Sequence, residues 1–420
     1  MVRVRVPLLA WLALVGTASA RRCRLEVLQE DPAGIADQQP CTTADFVGAG
    51  MHWGTLQALD LHKVLLRHKH VRAIDLTYNT VGGRGAAIAI EAAASDAAMG
   101  GIAALDVSHN GVDDDGAQRL ARALAPASGP GLELEVLHLE HNNIGSAGAA
   151  ALFAALRSGP SASTLRVLNL GNNRLSDVGA EAAAASLVAP PPETPLGAGA
   201  GWLVQIERMQ LADNNISARG VEALAAGIAS RAAAPSPAPV LRSLTLDYNE
   251  AIGDAGAAAF APLLRAGGHG LQQIGLSGTG IGDATAVLFA SALLETAGGG
   301  RVQSLQELMM AHSHIGTPGA AELLRAAEAQ GSTLAAVVLV GNMKGIDGAV
   351  SRQLRNALRY RNNEASAEKE MRILQWEDGA AERRLAQQRR WRLRSERCAA
   401  RVAPAKDQAS PVPLDAAAVV

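Results

Sequence analysis

The sequence predicts an α/β fold: a right-handed α/β solenoid with an inner parallel sheet and outer helices. Three observations carry that prediction. One apolar template returns nine times along the chain, with its sixth, seventh, eighth and ninth copies partly degraded. The template's first half alternates apolar and polar residues with the period of a strand. Beyond its glycine, apolar residues recur four and eight places later, as at Leu120 and Leu124 or Leu224 and Ile228, which makes one helical stripe. A unit of one strand and one helix cannot bury its own apolar face, so only stacking against neighbours gives it an interior.

Each template position has a physical role. Written L-x-x-L-x-L-x-x-N-x-I-x-x-x-G, it first appears cleanly as Val71, Ile74, Leu76, Asn79, Val81 and Gly85. The leucines face one side of a short strand. The asparagine ends the strand, where its amide can bond backbone groups of its own turn and of the adjacent unit. Asn79, Asn110, Asn142, Asn173, Asn214, Asn249 and Asn342 are therefore expected to form a ladder. Thr279 and Ser313 replace the asparagine in the seventh and eighth copies, and the sixth carries one extra residue after Asn249. The ninth copy lacks the isoleucine and reads as a closing unit. The glycine is expected to open each helix. Intervals between successive asparagine positions are 31, 32, 31, 41, 35, 30, 34 and 29 residues. The long ones hold the Pro-rich inserts 188–201 and 232–239, expected as extended loops on one edge.

This pattern, over residues 71–350, resembles the ribonuclease-inhibitor-like class of leucine-rich repeats, whose units each carry a full helix. The resemblance implies a leucine-rich-repeat horseshoe that grips a macromolecule. Members of that class include nuclease inhibitors, GTPase-activating proteins, actin-capping proteins and receptor sensing domains.

The flanks read differently. Residues 1–20 have the form of a signal peptide. Arg3 and Arg5 precede the apolar run VPLLAWLALVG, and Ala18-Ser19-Ala20 offers a cleavage site. The run would rise only about 16 Å as a helix, too little to span a hydrocarbon layer of roughly 30 Å. No later run is long and apolar enough, so no transmembrane span is expected in the mature chain, and the destination is secreted or luminal. Residues 21–70 are expected to cap the array. A Cys23–Cys41 disulfide there would be worth about 3 kcal/mol by loop closure; two unpaired thiols are the alternative. Residues 351–402 are expected as a capping helix, through Leu354 and Leu358, continuing into an Arg-rich helical extension. Residues 403–420 read as a disordered tail.

Function is sought on the sheet face opposite the leucines. Asp75, Tyr78, Asp106, His109, His138, Glu140, His141 and Asn169 fall on neighbouring units and form the candidate partner-binding patch. Corresponding side chains of stacked strands lie about 4.8 Å apart, and imidazole gives such a patch a response near neutral pH. Asn215 heads an Asn-Ile-Ser sequon, a candidate for glycosylation along the secretory route. The sequence holds no Walker loop, dinucleotide fingerprint, nucleophile elbow or HExxH motif. The expectation is a non-enzymatic binder with no catalytic residue, cofactor or metal site. A net charge of -2 gives no global pull toward polyanions. A protein partner is expected, with nucleic acid or another anionic ligand only through the Arg-rich tail. Regulation of a GTPase inside the cell is the alternative that the resemblance implies.

Overall fold

Among the described residues all strands lie side by side in chain order in one open sheet, and every strand pairing is parallel. This computed structural model describes residues 21–24, 41–52, 54, 65, 70–94, 101–126, 132–188, 203, 205–232, 241–267, 270–298, 304–342 and 345–359. The strands are β1 (Arg21–Arg24), β2 (Cys41–Asp45), β3 (Ala73–Asp75), β4 (Ala104–Asp106), β5 (Val136–His138) and β6 (Val167–Asn169). They continue as β7 (Arg208–Gln210), β8 (Ser243–Thr245), β9 (Gln273–Gly275), β10 (Glu307–Met309) and β11 (Ala336–Val338). The helices are α1 (Gly82–Ala94), α2 (Asp114–Leu124), α3 (Ser146–Ser158), α4 (Ser176–Leu187) and α5 (Ala218–Ala232). After them come α6 (Gly253–Ala257), α7 (Ala261–Ala266), α8 (Asp283–Gly298), α9 (Thr317–Glu328) and α10 (Gly348–Arg359). The protein is an α/β solenoid: strand, turn and helix repeat along the array, and each helix packs on the helix of the next unit.

From β3 to β11 the pairing register is uniform. Ile74, Leu105, Leu137, Leu168, Met209, Leu244, Ile274 and Leu308 align across the sheet, and all are buried. A helical stripe closes over them, including Leu120, Leu152, Leu224 and Leu323, with Phe153, Phe260 and Phe289 among the largest side chains buried there. Burying each leucine contributes about 1.5–3 kcal/mol. The alanine-rich composition follows from how closely the helices approach. A Cβ placed on Gly83 in α1 would sit 1.9 Å from the Gly116 Cα in α2. The template glycine is thus a contact residue inside the first helical turn, and the helix has already begun before it. That corrects the expectation that glycine opens the helix.

Aspartates at the helix starts do what was expected of the glycine. The Asp114 carboxylate accepts from Gly145 N (2.7 Å) and Gly148 N (2.9 Å) of the following unit. Asp283 likewise accepts from Gly316 N (2.7 Å) and Gly319 N (3.0 Å), capping α9, whose own N-cap residue is a glycine. Asp177 holds Ser217 and Gly220, and Asp254 holds Gly282 and Thr285. Each satisfies amides that a helix start leaves without partners. Asp113 caps α2 from within its own unit.

Two strands precede the nine template copies. In β2 and its turn, Ala44, Phe46 and Met51 occupy the core positions that Ile74, Leu76 and Val81 take in the next unit, and all three are buried. Asn79 bonds the Phe46 carbonyl and the Met51 amide across that boundary. Ala49 stands where an asparagine would, which hides the unit from a template search. Cys23 lies on β1 aligned with Ala44, and Cys41 on β2 aligned with Arg21; their side chains lie outside the described residues. The signal segment 1–20 and residues 360–420, with the Arg-rich extension and the tail, also lie outside. Leu354 and Leu358 of α10 are buried against the last unit. Among the described residues no helix is long and apolar enough to cross a membrane.

Candidate functional site at the sheet face

Strand residues alternate, so with Ile74 and Leu76 in the core, Ala73, Asp75 and Thr77 lie on the opposite face. One unit along, the equivalents are Ala104, Asp106 and Ser108; then Val136, His138 and Glu140; then Val167, Asn169 and Gly171. The chain then turns, and the residue before each asparagine, or before the residue that replaces it, is left-handed. Its φ is 58° at Tyr78, 58° at His109, 55° at His141, 54° at Asn172, 53° at Asp213, 61° at Tyr248 and 52° at His312. Gly48, Gly278 and Gly341 complete the column. Asparagine, aspartate, histidine and glycine tolerate this conformation better than most residues. Backbone demand therefore accounts for part of the column's composition, and tyrosine is the type it accounts for least.

The asparagine ladder is present. Asn110 donates to Leu76 O (2.8 Å) and Val107 O (3.1 Å), while its Oδ1 accepts from Val81 N (3.2 Å). Asn142, Asn173, Asn214, Asn249 and Asn342 repeat the arrangement, each tying its own turn to the turn of the preceding unit. At the seventh copy, Thr279 keeps one bond, to Leu276 O (2.6 Å). The extra residue in the sixth unit explains the exchange. Ile252 N bonds the Asn249 carbonyl (3.1 Å) and Gly253 N bonds the Thr279 carbonyl (2.9 Å), so these two amides require no side-chain acceptor.

The structure brings the candidate patch together and sorts its members by exposure. Rings of Tyr78, His109 and His141 stack in sequence, with centroids 4.1 Å apart at each step and planes inclined by 17° and 20°. The ring positions are half-buried, with 30% of the His141 side chain exposed. Beside them His138 Nδ1 lies 3.4 Å from Asp106 Oδ2, and His141 Nε2 lies 3.7 Å from Glu140 Oε1. Glu140 Oε2 accepts from Asn169 Nδ2 (3.1 Å). Asp75, Asp106, Glu140 and Asn169 are mostly buried, at 4–7% exposed. Asp75 and Asp106 accept from the backbone two residues on, at Thr77 N and Ser108 N. They brace the turns and color the surface with charge; the histidines and Tyr78 form its contact layer. Burial by itself pushes Asp106 up. Hydrogen bonds from His138 and Ser108, with the charge of His138, outweigh it and leave this carboxyl below its ordinary value. No trio of His, Cys, Asp or Glu among the described residues is placed to hold a metal ion.

Two further groups were not anticipated from sequence. Asp247, on the same face in the turn after β8, is raised to about 6 by burial, which outweighs the hydrogen bonds from the Ser277 amide (2.7 Å) and side chain. Arg231 at the end of α5 is 3% exposed and donates to Leu203 O (2.6 Å), anchoring the chain where it returns from the longest insert. Burial lowers this guanidinium to about 10. Asn215 is exposed in a left-handed turn, and the sequon's Ser217 hydroxyl bonds Asp177 (2.6 Å).

A family model described as Leucine Rich repeat matches six segments: residues 67–87, 103–121, 134–153, 161–182, 206–225 and 238–261. The match reaches the repeat family and does not single out the ribonuclease-inhibitor-like class within it. No curated protein matches the chain. Each matched segment runs from a strand, or just before it, through the asparagine turn or its equivalent into the next helix. By those six segments and the repeating turn into which they fold, the chain carries leucine-rich repeats.

Proposed function

We propose that the protein is a secreted or luminal binding scaffold that holds a protein partner on the sheet face around Tyr78, His109, His138 and His141. The observation that carries this reading is the continuous ring stack set on hydrogen-bonded carboxylates. Aromatic side chains offer much contact area for little lost freedom. Fixed donors and acceptors from neighbouring rungs suit orientation of a partner better than turnover of a substrate. The basic and apolar start of the sequence supports the secretory route.

The test is affinity capture with the full chain and with Asp106→Ala/His138→Ala/His141→Ala. A partner held by the first protein and lost by the second supports the reading. Equal capture by both discards the patch. Sequencing the N-terminus of protein recovered from the medium tests the route, and a mature chain that keeps residues 1–20 refutes it.

A further inference from the structure

The sheet ends in two unlike edges. At one end stands β1, whose four residues include Arg21, Arg22 and Arg24. At the other stands β11, which with its flanks reads Ala335-Ala336-Val337-Val338-Leu339-Val340, six residues without a charge or a proline. Charge on an edge strand discourages further pairing, and its absence invites it. The core positions of this last rung are also left partly open. Ile274, Leu276, Leu308 and Met310, with a rung on each side, are fully buried, whereas Val337 and Leu339 are half-buried. Val340, on the sheet-face side, is 44% exposed.

The unused groups on this edge are those that a strand satisfies. Along the array the amide of the second core residue donates to the next strand or its end. Leu246 N bonds Gly275 O (2.8 Å), Leu276 N bonds Met309 O (2.8 Å) and Met310 N bonds Val338 O (2.9 Å). In β11 that residue is Leu339, and among the described residues no strand follows. Alternate residues of a strand point their backbone groups to the same side. Val337 and Leu339 therefore both turn an amide and a carbonyl outward, and neither amide has an acceptor among the described residues.

We infer that β11 pairs antiparallel with β11 of a second copy of this chain, across a two-fold axis at Val338. Val337 then lies opposite Leu339 of the second copy, and each amide donates to the other's carbonyl. Val338 faces its own counterpart, and Ala336 faces Val340. Every cross-strand pair is thus apolar, and the exposed Val340 meets a small neighbour. An isologous contact of this kind closes on itself. Head-to-tail growth instead sets β11 against the arginines of β1. The contact lies at the opposite end of the array from the Tyr78–His141 patch and stands without it. A dimer carries two copies of that patch, which gives a repetitive partner two points of attachment.

Analytical ultracentrifugation of the full chain reads the association. A dimer is expected at about 10 μM, and Val338→Lys, which sets like charges together at the axis, should weaken it about tenfold or more. Val338→Thr keeps a strand-forming side chain and should leave the dimer nearly unchanged. Val178→Lys, at an exposed valine of α4, should do the same. Directly opposite residues at a non-hydrogen-bonded position of an antiparallel pair have Cα atoms about 4.5 Å apart, within reach of a disulfide. Oxidised by copper–phenanthroline, Val338→Cys should therefore give a dimer linked between the two copies of that position, located by peptide mapping. Val340→Cys should not link to itself, because the register holds its two copies about 13 Å apart. Hydrogen exchange at the Val337 and Leu339 amides should be slow in the dimer and fast in Val338→Lys. A chain still monomeric at about 100 μM, a dimer untouched by Val338→Lys, a dimer lost with Val338→Thr or Val178→Lys, or a self-link at Val340→Cys in place of Val338→Cys each overturns the proposal. Protection of those two amides in a monomer overturns it as well, since another part of this chain then holds the edge.

Discussion

Replacing Asn249 with alanine removes four hydrogen bonds from a side chain that is 1% exposed. Its Oδ1 accepts from Asn214 N and Ile216 N, both at 2.9 Å, and its Nδ2 donates to Leu211 O (3.0 Å) and Leu246 O (2.7 Å). Alanine leaves two buried amides without that acceptor, at about 1–3 kcal/mol each, while the two carbonyls lose one donor apiece. The expected loss is about 3–6 kcal/mol, a large share of what a folded domain has in reserve. Thr279→Val is the internal control. It removes a single bond and should cost about 1 kcal/mol. Asn249→Asp keeps the acceptor but turns it toward two carbonyl oxygens. Its carboxyl ionises at a higher pH in the folded chain than in the unfolded one. The cost of that variant should therefore shrink as pH falls. Urea unfolding followed by circular dichroism gives the free energies, and hydrogen exchange at the Asn214 and Ile216 amides locates the damage. An Asn249→Ala loss no larger than that of Thr279→Val, or unchanged protection at those two amides, refutes the reasoning.

Three further outcomes follow from other residues. Burial raises the Asp247 carboxyl to about 6 in the folded chain, from an ordinary 3.8. Its contribution is fully present below 3.8 and disappears as pH rises through 6, a change of about 3 kcal/mol. Asp247→Asn should accordingly be more stable than the parent at about pH 8 and nearly equal at about pH 3.5; matching urea midpoints at the higher pH would count against it. Asp283→Ala uncaps α9 and should cost about 1–2 kcal/mol, read from the same unfolding curves and from faster exchange at Gly316 and Gly319. Chain expressed through a eukaryotic secretory route should lose electrophoretic mass on glycosidase treatment, and Asn215→Gln should abolish that shift.

Most of the architecture was legible because each template position answers one local demand. The leucine pair sets the strand faces, the asparagine satisfies a turn, and their recurrence forces parallel stacking. The β2 rung escaped notice because Ala49 replaces the diagnostic residue, even though Ala44, Phe46 and Met51 keep the apolar spacing. The role of the glycine was misplaced for a different reason. A glycine near a helix start suggests an opening in sequence terms, whereas helix packing, which sequence does not display, sets the close approach of Gly83 to Gly116. The patch was partly legible. Spacing alone placed Asp106, His109, His138 and His141 on adjoining rungs. Their exposure was not readable, because it depends on which carboxylates bend back to bond their own turns. Nor does periodicity reveal that Tyr78, His109 and His141 share a backbone conformation that lays one ring upon the next.

The two hydrogen-bonded ladders run in opposite senses. Every template asparagine serves the unit before it, whereas Asp114, Asp177, Asp254 and Asp283 at the helix starts serve the unit after it. Cutting the array between two units therefore leaves unlike wounds. The upstream piece keeps a turn with an unanswered amide, and the downstream piece keeps a helix with a bare beginning. Shortening the protein from its two ends is not equivalent, and each end requires its own kind of terminator. Copying a whole unit in place, by contrast, carries both halves of the join with it, so such an array can lengthen from the middle more readily than it can be trimmed.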